Sequence, residues 1–141
     1  MSVYLDASVL VPAILNEPGS ATVDAFFAQA RTELLVSDFA AAEVASALSR
    51  LVRMRTIDSR AADLCLSAFD SFRAEAAIVL EVESSDVRLA SVLVRRFELM
   101  LRAPDALHLA ICRRVDAPLI TLDGRLAKAA AELGVPATLL A

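Results

Sequence analysis

The alternation of short apolar segments with longer helical patterns is the feature that most constrains the fold of this chain. Five short, partly β-branched apolar segments predict strands at residues 2–6, 33–37, 77–81, 118–121 and 137–139. Between them lie patterns typical of helices, at residues 7–15, 21–31, 38–55, 59–76, 87–101, 105–115 and 124–133. This alternation predicts an α/β fold with a parallel sheet and helices on both of its faces.

Capping residues mark where several of these helices begin and end. Ser20 precedes the second helix, and Asp58 or Ser59 precedes the fourth, where their side-chain oxygens suit N-caps. Pro104 stands in the first turn of a helix, where its missing N–H is harmless. Gly134 follows the last helix and is predicted to end it.

Length and composition exclude several classes of protein. The chain has 141 residues, 57% of them hydrophobic, which fits one domain spanning residues 1–141 and excludes disorder. The longest stretch without a charge is residues 7–16, about half of the ~18 that a membrane span needs. No basic residue precedes that stretch, as a signal peptide would require, so we expect a cytoplasmic protein. Cys65 and Cys112 lie in apolar helical patterns and are interpreted as reduced thiols.

Three aspartates lie where a ligand site is expected. In α/β folds, ligands bind beyond the carboxyl ends of the strands. Asp6 ends the first predicted strand and Asp123 the fourth, while Asp105 stands in the first turn of a helix. Each also has a simpler interpretation, as a helix cap or as a negative charge that favours the helix dipole.

Glu43 is harder to explain as part of the scaffold alone. It lies in the middle of a helix, and its neighbours one turn away include Phe39, Ala40 and Ala47. A glutamate on an apolar face needs a partner or a bound cation. Arg50 is one candidate partner, since it lies further along the same helix.

A cation placed between these acids would explain all of them at once. Four carboxylates in one crevice repel each other, and no cysteine or histidine lies at ligand spacing. Such oxygen-only sites suit Mg²⁺ or Mn²⁺ rather than Zn²⁺. We expect Asp6, Asp105 and Asp123 to bind the metal, and phosphodiester hydrolysis by an activated water is the matching chemistry. Glu43 would either complete the shell or deprotonate the water.

Three segments resemble the PIN-domain family, and the likeness to its VapC-type members is closest in the second. They are Tyr-Leu-Asp-Ala-Ser-Val-Leu at 4–10, Leu-Arg-Ala-Pro-Asp-Ala-Leu-His-Leu-Ala at 101–110 and Leu-Ile-Thr-Leu-Asp-Gly-Arg-Leu at 119–126. Glu43 matches the family's glutamate on the helix after the second strand. The resemblance spans almost the whole chain, with the acids in the family's order.

The resemblance implies a five-stranded parallel sheet and a Mg²⁺- or Mn²⁺-dependent ribonuclease site. It also implies the toxin of a toxin–antitoxin pair, usually a homodimer, with a VapB-type antitoxin as partner and RNA as substrate. The implied acidic residues are Asp6, Glu43, Asp105 and Asp123. Ser8 and Thr121 match hydroxyl residues that support the site. Many relatives carry a further polar or acidic residue after the fourth acid, where this chain has Gly124, Arg125 and Lys128, so one ion or two stays open.

Basic residues near the acids are candidate phosphate contacts. Arg102, three residues before Asp105, is the best placed, although a surface or glutamate-paired arginine is the simpler interpretation. Arg50, Arg53, Arg95 and Arg96 are lesser candidates. His108, one turn after Asp105, is interpreted as a packed helical histidine rather than an acid–base group.

Two other functional classes compete with a metal-dependent nuclease. One is a catalytically silent binding module of the same fold, which would act through protein or RNA partners. The other is a phosphatase or receiver domain that uses Asp6 covalently, which Ser8 and the sequence Glu-Val-Glu at 81–83 disfavour. The apolar helical stretches 39–54 and 61–76 are predicted to form a dimer and antitoxin surface.

Overall fold

The computed structural model describes residues 1–141 and contains the predicted alternation of strands and helices. The strands are β1 (Ser2–Leu5), β2 (Glu33–Ser37), β3 (Ile78–Leu80), β4 (Leu119–Thr121) and β5 (Ala137–Leu139). The helices are α1 (Ala7–Ile14), α2 (Ser20–Gln29), α3 (Asp38–Arg53), α4 (Ser59–Ala76), α5 (Ser84–Val94), α6 (Ala103–Val115) and α7 (Gly124–Glu132). A short 3₁₀ turn at Phe97–Leu99 lies between α5 and α6.

The five strands form one parallel sheet in the order β3-β2-β1-β4-β5. β2 and β3 are added outwards on one side of β1, and the chain then crosses to the other side for β4 and β5. The order therefore reverses between β1 and β4, whose carboxyl ends flank the crevice where such sheets bind ligands. Asp6 and Asp123 follow these two strands.

The sheet separates two hydrophobic cores. In β1, Tyr4 packs into the core beneath α5, α6 and α7, while Val3 and Leu5 pack into the core beneath α1 to α4. Leu119 and Ile120 divide in the same way in β4, because successive side chains of a strand point to opposite faces. Helices thus cover both faces of the sheet, which confirms the predicted fold class.

The prediction of one helix over residues 87–101 is wrong. α5 ends at Val94, a 3₁₀ turn follows, and Met100 adopts a left-handed conformation with φ 55°. The apolar pattern continues past the end of the helix, yet Phe97 is 82% exposed. The chain reverses in this segment so that α6 packs against α5, and that packing overrides the local helical pattern.

Most of the predicted helix ends are correct, and one cap is not. The Asp58 carboxylate accepts a hydrogen bond from the backbone N–H of Ala61 at 2.8 Å, and Gly134 ends α7 with φ +72°. Ser20 is instead the first residue of α2, and its hydroxyl donates to backbone carbonyls at the end of α1. It ties α2 to α1 rather than capping α2.

An ion pair fastens α6 to α5 on the side of the sheet away from α1. The Arg114 guanidinium donates to both oxygens of Asp86, at 2.8 and 3.0 Å, and to the carbonyl of Glu81 at 3.0 Å. Asp86 is 2% exposed and also accepts from the backbone N–H of Glu83. These hydrogen bonds raise the pKa of Arg114 and satisfy a buried carboxylate.

Two further sequence expectations concern the membrane and the thiols. No helix is both long and apolar enough to cross a bilayer. Cys65 and Cys112 are both free thiols, as predicted. Burial raises the pKa of Cys112 to about 12, which keeps that thiol protonated and inert.

Candidate active site

Asp6 directs its carboxylate into the protein instead of capping α1. It occupies the N-cap position, yet its side chain makes no cap hydrogen bond. Its two oxygens accept hydrogen bonds from the hydroxyls of Ser8 at 2.6 Å and Thr121 at 2.7 Å. The residue is 4% exposed, and no arginine or lysine pairs with it. The interpretation of Asp6 as a simple helix cap is therefore wrong.

Burial sets the electrostatics of Asp6. Loss of solvent raises the pKa of its carboxyl above the ordinary range, while the hydrogen bonds from Ser8 and Thr121 act in the opposite direction. The negative charge of Glu43 raises the pKa further, and His108 lowers it. A buried carboxylate with two neutral donors and no cationic partner is an unusual arrangement for a scaffold residue.

Ser8 and Thr121 join the ends of β1 and β4. The hydroxyl oxygen of Ser8 accepts from the backbone N–H of Leu122 at 2.9 Å. The hydroxyl oxygen of Thr121 accepts from the backbone N–H of Asp123 at 3.0 Å. Because both hydroxyls donate to Asp6, the same two side chains hold that carboxylate and the backbone that leads into Asp123.

Asp123 does cap a helix, as its simpler interpretation predicted. One carboxylate oxygen accepts from the backbone N–H groups of Arg125 at 2.9 Å and Leu126 at 3.3 Å, at the start of α7. The side chain is half-buried, and its second oxygen takes no hydrogen bond within the protein. A cap that uses one oxygen leaves the other for a ligand.

Asp105 has a similar double character at the start of α6. One of its oxygens accepts from the backbone N–H of Arg102 at 3.3 Å, across the first turn of the helix. The side chain is half-buried, whereas Arg102 is exposed. Asp105 also lies three residues before His108, which places the two side chains on one face of α6.

Glu43 is paired with His108, and the suggested pairing with Arg50 is wrong. Its Oε1 atom makes a very short hydrogen bond with Nε2 of His108, which joins α3 to α6. Arg50 is exposed and forms no ion pair. The Glu43 side chain remains 30% exposed, whereas the His108 side chain is buried.

His108 is the site residue whose partners sequence reasoning missed. It is a buried residue of α6, as the packed-histidine interpretation predicted, but both of its ring nitrogens have hydrogen-bond partners. The sequence signal that could have pointed to a role in the site is its position one turn after Asp105. The contact with Glu43 joins residues 65 positions apart in the chain, and local patterns carry no information about such a pair.

These contacts link Asp6 with Glu43, His108 and Asp123 without forming a closed ligand shell, and no hydrogen bond joins Asp105 to them. Glu43 and His108 both lie close enough to Asp6 to affect its pKa, and Thr121 connects Asp6 to Asp123. No three His, Cys, Asp or Glu side chains lie close enough together to hold a metal ion as they stand. The donor set is nevertheless carboxylate oxygen, which is the type that Mg²⁺ and Mn²⁺ prefer.

Comparison with known proteins identifies the family. The sequence profile of the PIN domain matches residues 3–132, which is most of the chain and includes all four acids. The chain belongs to the PIN domain family. Among curated proteins, no sequence matches this chain.

Three solved structures illustrate the similarity of this PIN domain to known folds. VapC20 of Mycobacterium tuberculosis is 21% identical with a TM-score of 0.73, over 90% of this chain and 94% of that one. VapBC2 of Rickettsia felis is 15% identical with a TM-score of 0.71, over 100% of both chains. VapBC-1 of nontypeable Haemophilus influenzae is 14% identical with a TM-score of 0.69, over 99% and 98%. At these identities, the similarity shows a shared fold and no more.

The arginines proposed as phosphate contacts differ in whether another side chain already binds them. Arg102 is exposed beside Asp105 and pairs with no acid. Arg96, a lesser candidate, pairs with Glu98 at 2.9 Å, and Arg53 donates to Ser49 at 2.6 Å. Arg102 therefore stays a candidate phosphate contact, and Arg50 and Arg95 are likewise exposed and without an ion pair.

Proposed function

We propose that this PIN domain is a metal-dependent endoribonuclease of the VapC type, the toxin of a toxin–antitoxin pair. The observation that carries the proposal is the buried Asp6 carboxylate at the switch point of the sheet. It is held by two hydroxyl groups, lacks a basic partner, and is close enough to Glu43 for their charges to interact. A bound cation is the simplest compensation for such a charge.

Asp6, Asp105 and Asp123 would hold one Mg²⁺ or Mn²⁺. Asp105 and Asp123 each use one oxygen in a helix cap and keep the other clear of hydrogen bonds. Like charges repel, so a divalent cation is the species that would draw these three side chains together. When bound, it would polarise a phosphate oxygen and make a water molecule easier to deprotonate.

Protein side chains would supply the proton transfer, the orientation of Asp6 and the phosphate contact. Glu43 would accept the proton of the attacking water, because its Oε1 is held by His108 and its side chain remains partly exposed to solvent. Ser8 and Thr121 would keep Asp6 in one orientation. Arg102 would contact a phosphate of the RNA, because a guanidinium matches phosphate geometry.

The solved structures with a similar fold support the proposed function by analogy. VapC20 is described as a toxin that cleaves the sarcin–ricin loop, and VapBC2 was solved bound to a DNA fragment from its promoter. By analogy, we propose RNA as the substrate, a VapB-type antitoxin as the partner and the cytoplasm as the location. The analogy rests on fold, and the acids of this chain supply the chemical argument.

An apolar groove offers a surface for the antitoxin. It has a volume of about 540 Å³ and is lined only by hydrophobic side chains from α1, α2, β2 and α4, among them Ile14, Phe27 and Phe72. The predicted apolar stretch 61–76 supplies four of its nine lining residues. We propose that an apolar segment of the antitoxin covers this groove.

The decisive test is RNA cleavage by Asp6→Asn. We expect the purified wild-type protein to cut RNA only with Mg²⁺ or Mn²⁺ present, and the variant to lose at least about 100-fold in rate, as removal of a catalytic group does. Asp24→Asn is the matched control, because Asp24 is exposed on α2 and the chemical change is the same. Mapping the new RNA ends after expression identifies the cut bonds.

Two results would overturn the proposal. Full RNA cleavage by Asp6→Asn would remove the acid from the reaction. No cleavage by the wild type, together with no heat of Mg²⁺ or Mn²⁺ binding in calorimetry, would instead favour the catalytically silent binding module.

A further inference from the structure

We propose that His108 is a positioning residue for Glu43, and that Tyr4 and Ser37 hold the histidine in place. The inference rests on the proposed function, since that function gives Glu43 its role at the water molecule. It adds a residue that sequence reasoning had assigned to packing alone.

The geometry is a continuous chain of buried hydrogen bonds. Nδ1 of His108 lies 2.6 Å from the hydroxyl oxygen of Tyr4, which lies 2.7 Å from the hydroxyl oxygen of Ser37. Nε2 of the same ring bonds to Oε1 of Glu43. Tyr4 and Ser37 are fully buried, so water does not compete for these contacts.

The chemistry of each group shows which atom donates each hydrogen bond in this series. A carboxylate only accepts, so the hydrogen atom between His108 and Glu43 belongs to Nε2. Ser37 accepts from the backbone N–H of Ala40 at 3.0 Å, which leaves its own hydroxyl proton for Tyr4. Tyr4 can then donate to Nδ1 while Nε2 donates to Glu43, so each ring nitrogen has a partner that matches its role. Burial raises the pKa of Tyr4, so its hydroxyl keeps the proton that it donates.

This series of hydrogen bonds connects three elements that meet at the end of the sheet. Tyr4 belongs to β1, His108 to α6, and Ser37 is the N-cap of α3, the helix that carries Glu43. The imidazole is also flanked by two aromatic rings, with ring centroids 5.6 Å away for Tyr4 and 5.3 Å for Phe39. These tilted ring contacts and the hydrogen bonds on both nitrogens fix the orientation of the imidazole.

A purely structural role would not need this arrangement. A leucine would fill a similar volume in the core without requiring partners for two nitrogens. The structure instead uses a histidine to bridge a fully buried tyrosine and a glutamate whose side chain is 30% exposed. Outer-shell partners of this kind fix the orientation of the groups that meet water or metal.

The kinetic test compares His108→Leu with His108→Gln. We expect His108→Leu to lower kcat for RNA cleavage by about 10–100-fold with little change in KM, because loss of an outer-shell partner affects orientation rather than RNA binding. The glutamine amide retains an N–H donor for Glu43, so His108→Gln should recover most of that loss. Tyr4→Phe should cause a smaller loss, because it releases Nδ1 and keeps the contact with Glu43.

A stability control separates positioning from general loosening of the core. Val23→Ala removes buried volume on α2, away from Glu43, and should lower the melting temperature without a comparable loss of kcat. If His108→Leu is folded and cleaves RNA at the wild-type rate, the inference is overturned. The same holds if His108→Gln is no better than His108→Leu at equal melting temperature.

A spectroscopic test does not depend on activity. His108 is the only histidine of the chain, so ¹⁵N NMR of labelled protein reports this ring alone. We expect Nε2 to carry a proton and its signal to shift in Glu43→Gln, while a bare Nε2 would overturn the inference. If the wild type binds metal but cuts no RNA, the NMR result still tests the contact, and the two proposals fail separately.

Discussion

At the residue scale, the same residue type serves different purposes at equivalent places in the chain. Asp6 and Asp123 both follow a strand and precede a helix, but only Asp123 caps its helix. Asp6 is drawn inward because the hydroxyls of Ser8 and Thr121 offer it donors inside the protein. A local pattern cannot tell these cases apart, since Thr121 is 115 positions from Asp6.

The buried charge of Asp6 predicts a pH-dependent stability that is measurable without substrate. Burial raises the pKa of Asp6 in the folded state above that of the unfolded chain. Its contribution to stability is therefore fully present below about pH 4, where both states hold the proton, and is lost as the pH rises through the folded pKa. In metal-free buffer, we expect Asp6→Asn to melt at a higher temperature than the wild type at pH 7.

Thermal melts with EDTA at pH 4 and pH 7 check this expectation. The advantage of Asp6→Asn should disappear at pH 4, where the wild-type carboxyl is neutral. Added Mg²⁺ should then stabilise the wild type and leave the variant unchanged. Equal melting temperatures at pH 7 would mean that the bonds from Ser8 and Thr121 fully compensate the burial.

At the element scale, tertiary contacts decide where helices end and how they are joined. The apolar pattern after Ser84 fits one long helix, but α5 stops at Val94 and α6 folds back against it. The pair is joined by Arg114 and the buried Asp86 rather than by apolar packing alone. Arg114 is 28 residues from its partner, so the sequence pattern did not indicate the bond.

Arg114→Met should destabilise the fold by about 3 kcal/mol, because removing one partner leaves the other charge buried and unpaired. A loss of that size lowers the melting temperature by roughly 10 °C in a domain of this length. Circular dichroism melts measure the shift. The double variant Arg114→Met, Asp86→Asn should recover part of the loss, since asparagine removes the orphaned charge and still accepts from Glu83.

At the scale of the whole molecule, most of the exposed large hydrophobic residues lie outside the two stretches that were predicted to form the dimer and antitoxin surface. The stretches 39–54 and 61–76 leave only Met54 and Leu64 among the exposed large hydrophobic residues. The segment from α5 to Met100 leaves four: Val87, Val92, Phe97 and Met100. Helical periodicity detects apolar residues, but only packing decides which of them reach the surface.

We expect the free protein to be a homodimer that uses the surface around Phe97 and Met100, which are 82% and 71% exposed. Light scattering after size exclusion should give twice the chain mass of 15.0 kDa. Phe97→Glu should shift the protein towards the monomer, because it places a charge in the apolar contact. Leu64→Glu, on α4, is the matched control and should leave the dimer intact. A strictly monomeric wild type would contradict the expectation.

The sequence by itself determined the alternation of strands and helices, the parallel sheet with two covered faces, and the four acids and two hydroxyls of the candidate site. The fold class follows from hydrophobic periodicity, the three aspartates from residue types at strand and helix ends, and Glu43 from a charge on an apolar helix face, all of which are local properties. The two hydroxyls follow from the resemblance to the PIN-domain family. Tertiary structure alone decided that Glu43 pairs with His108, that Asp6 turns inward and that α5 ends at Val94. Each of these depends on the free energy of burying polar or apolar groups against distant residues, and that quantity exists only once the chain is folded.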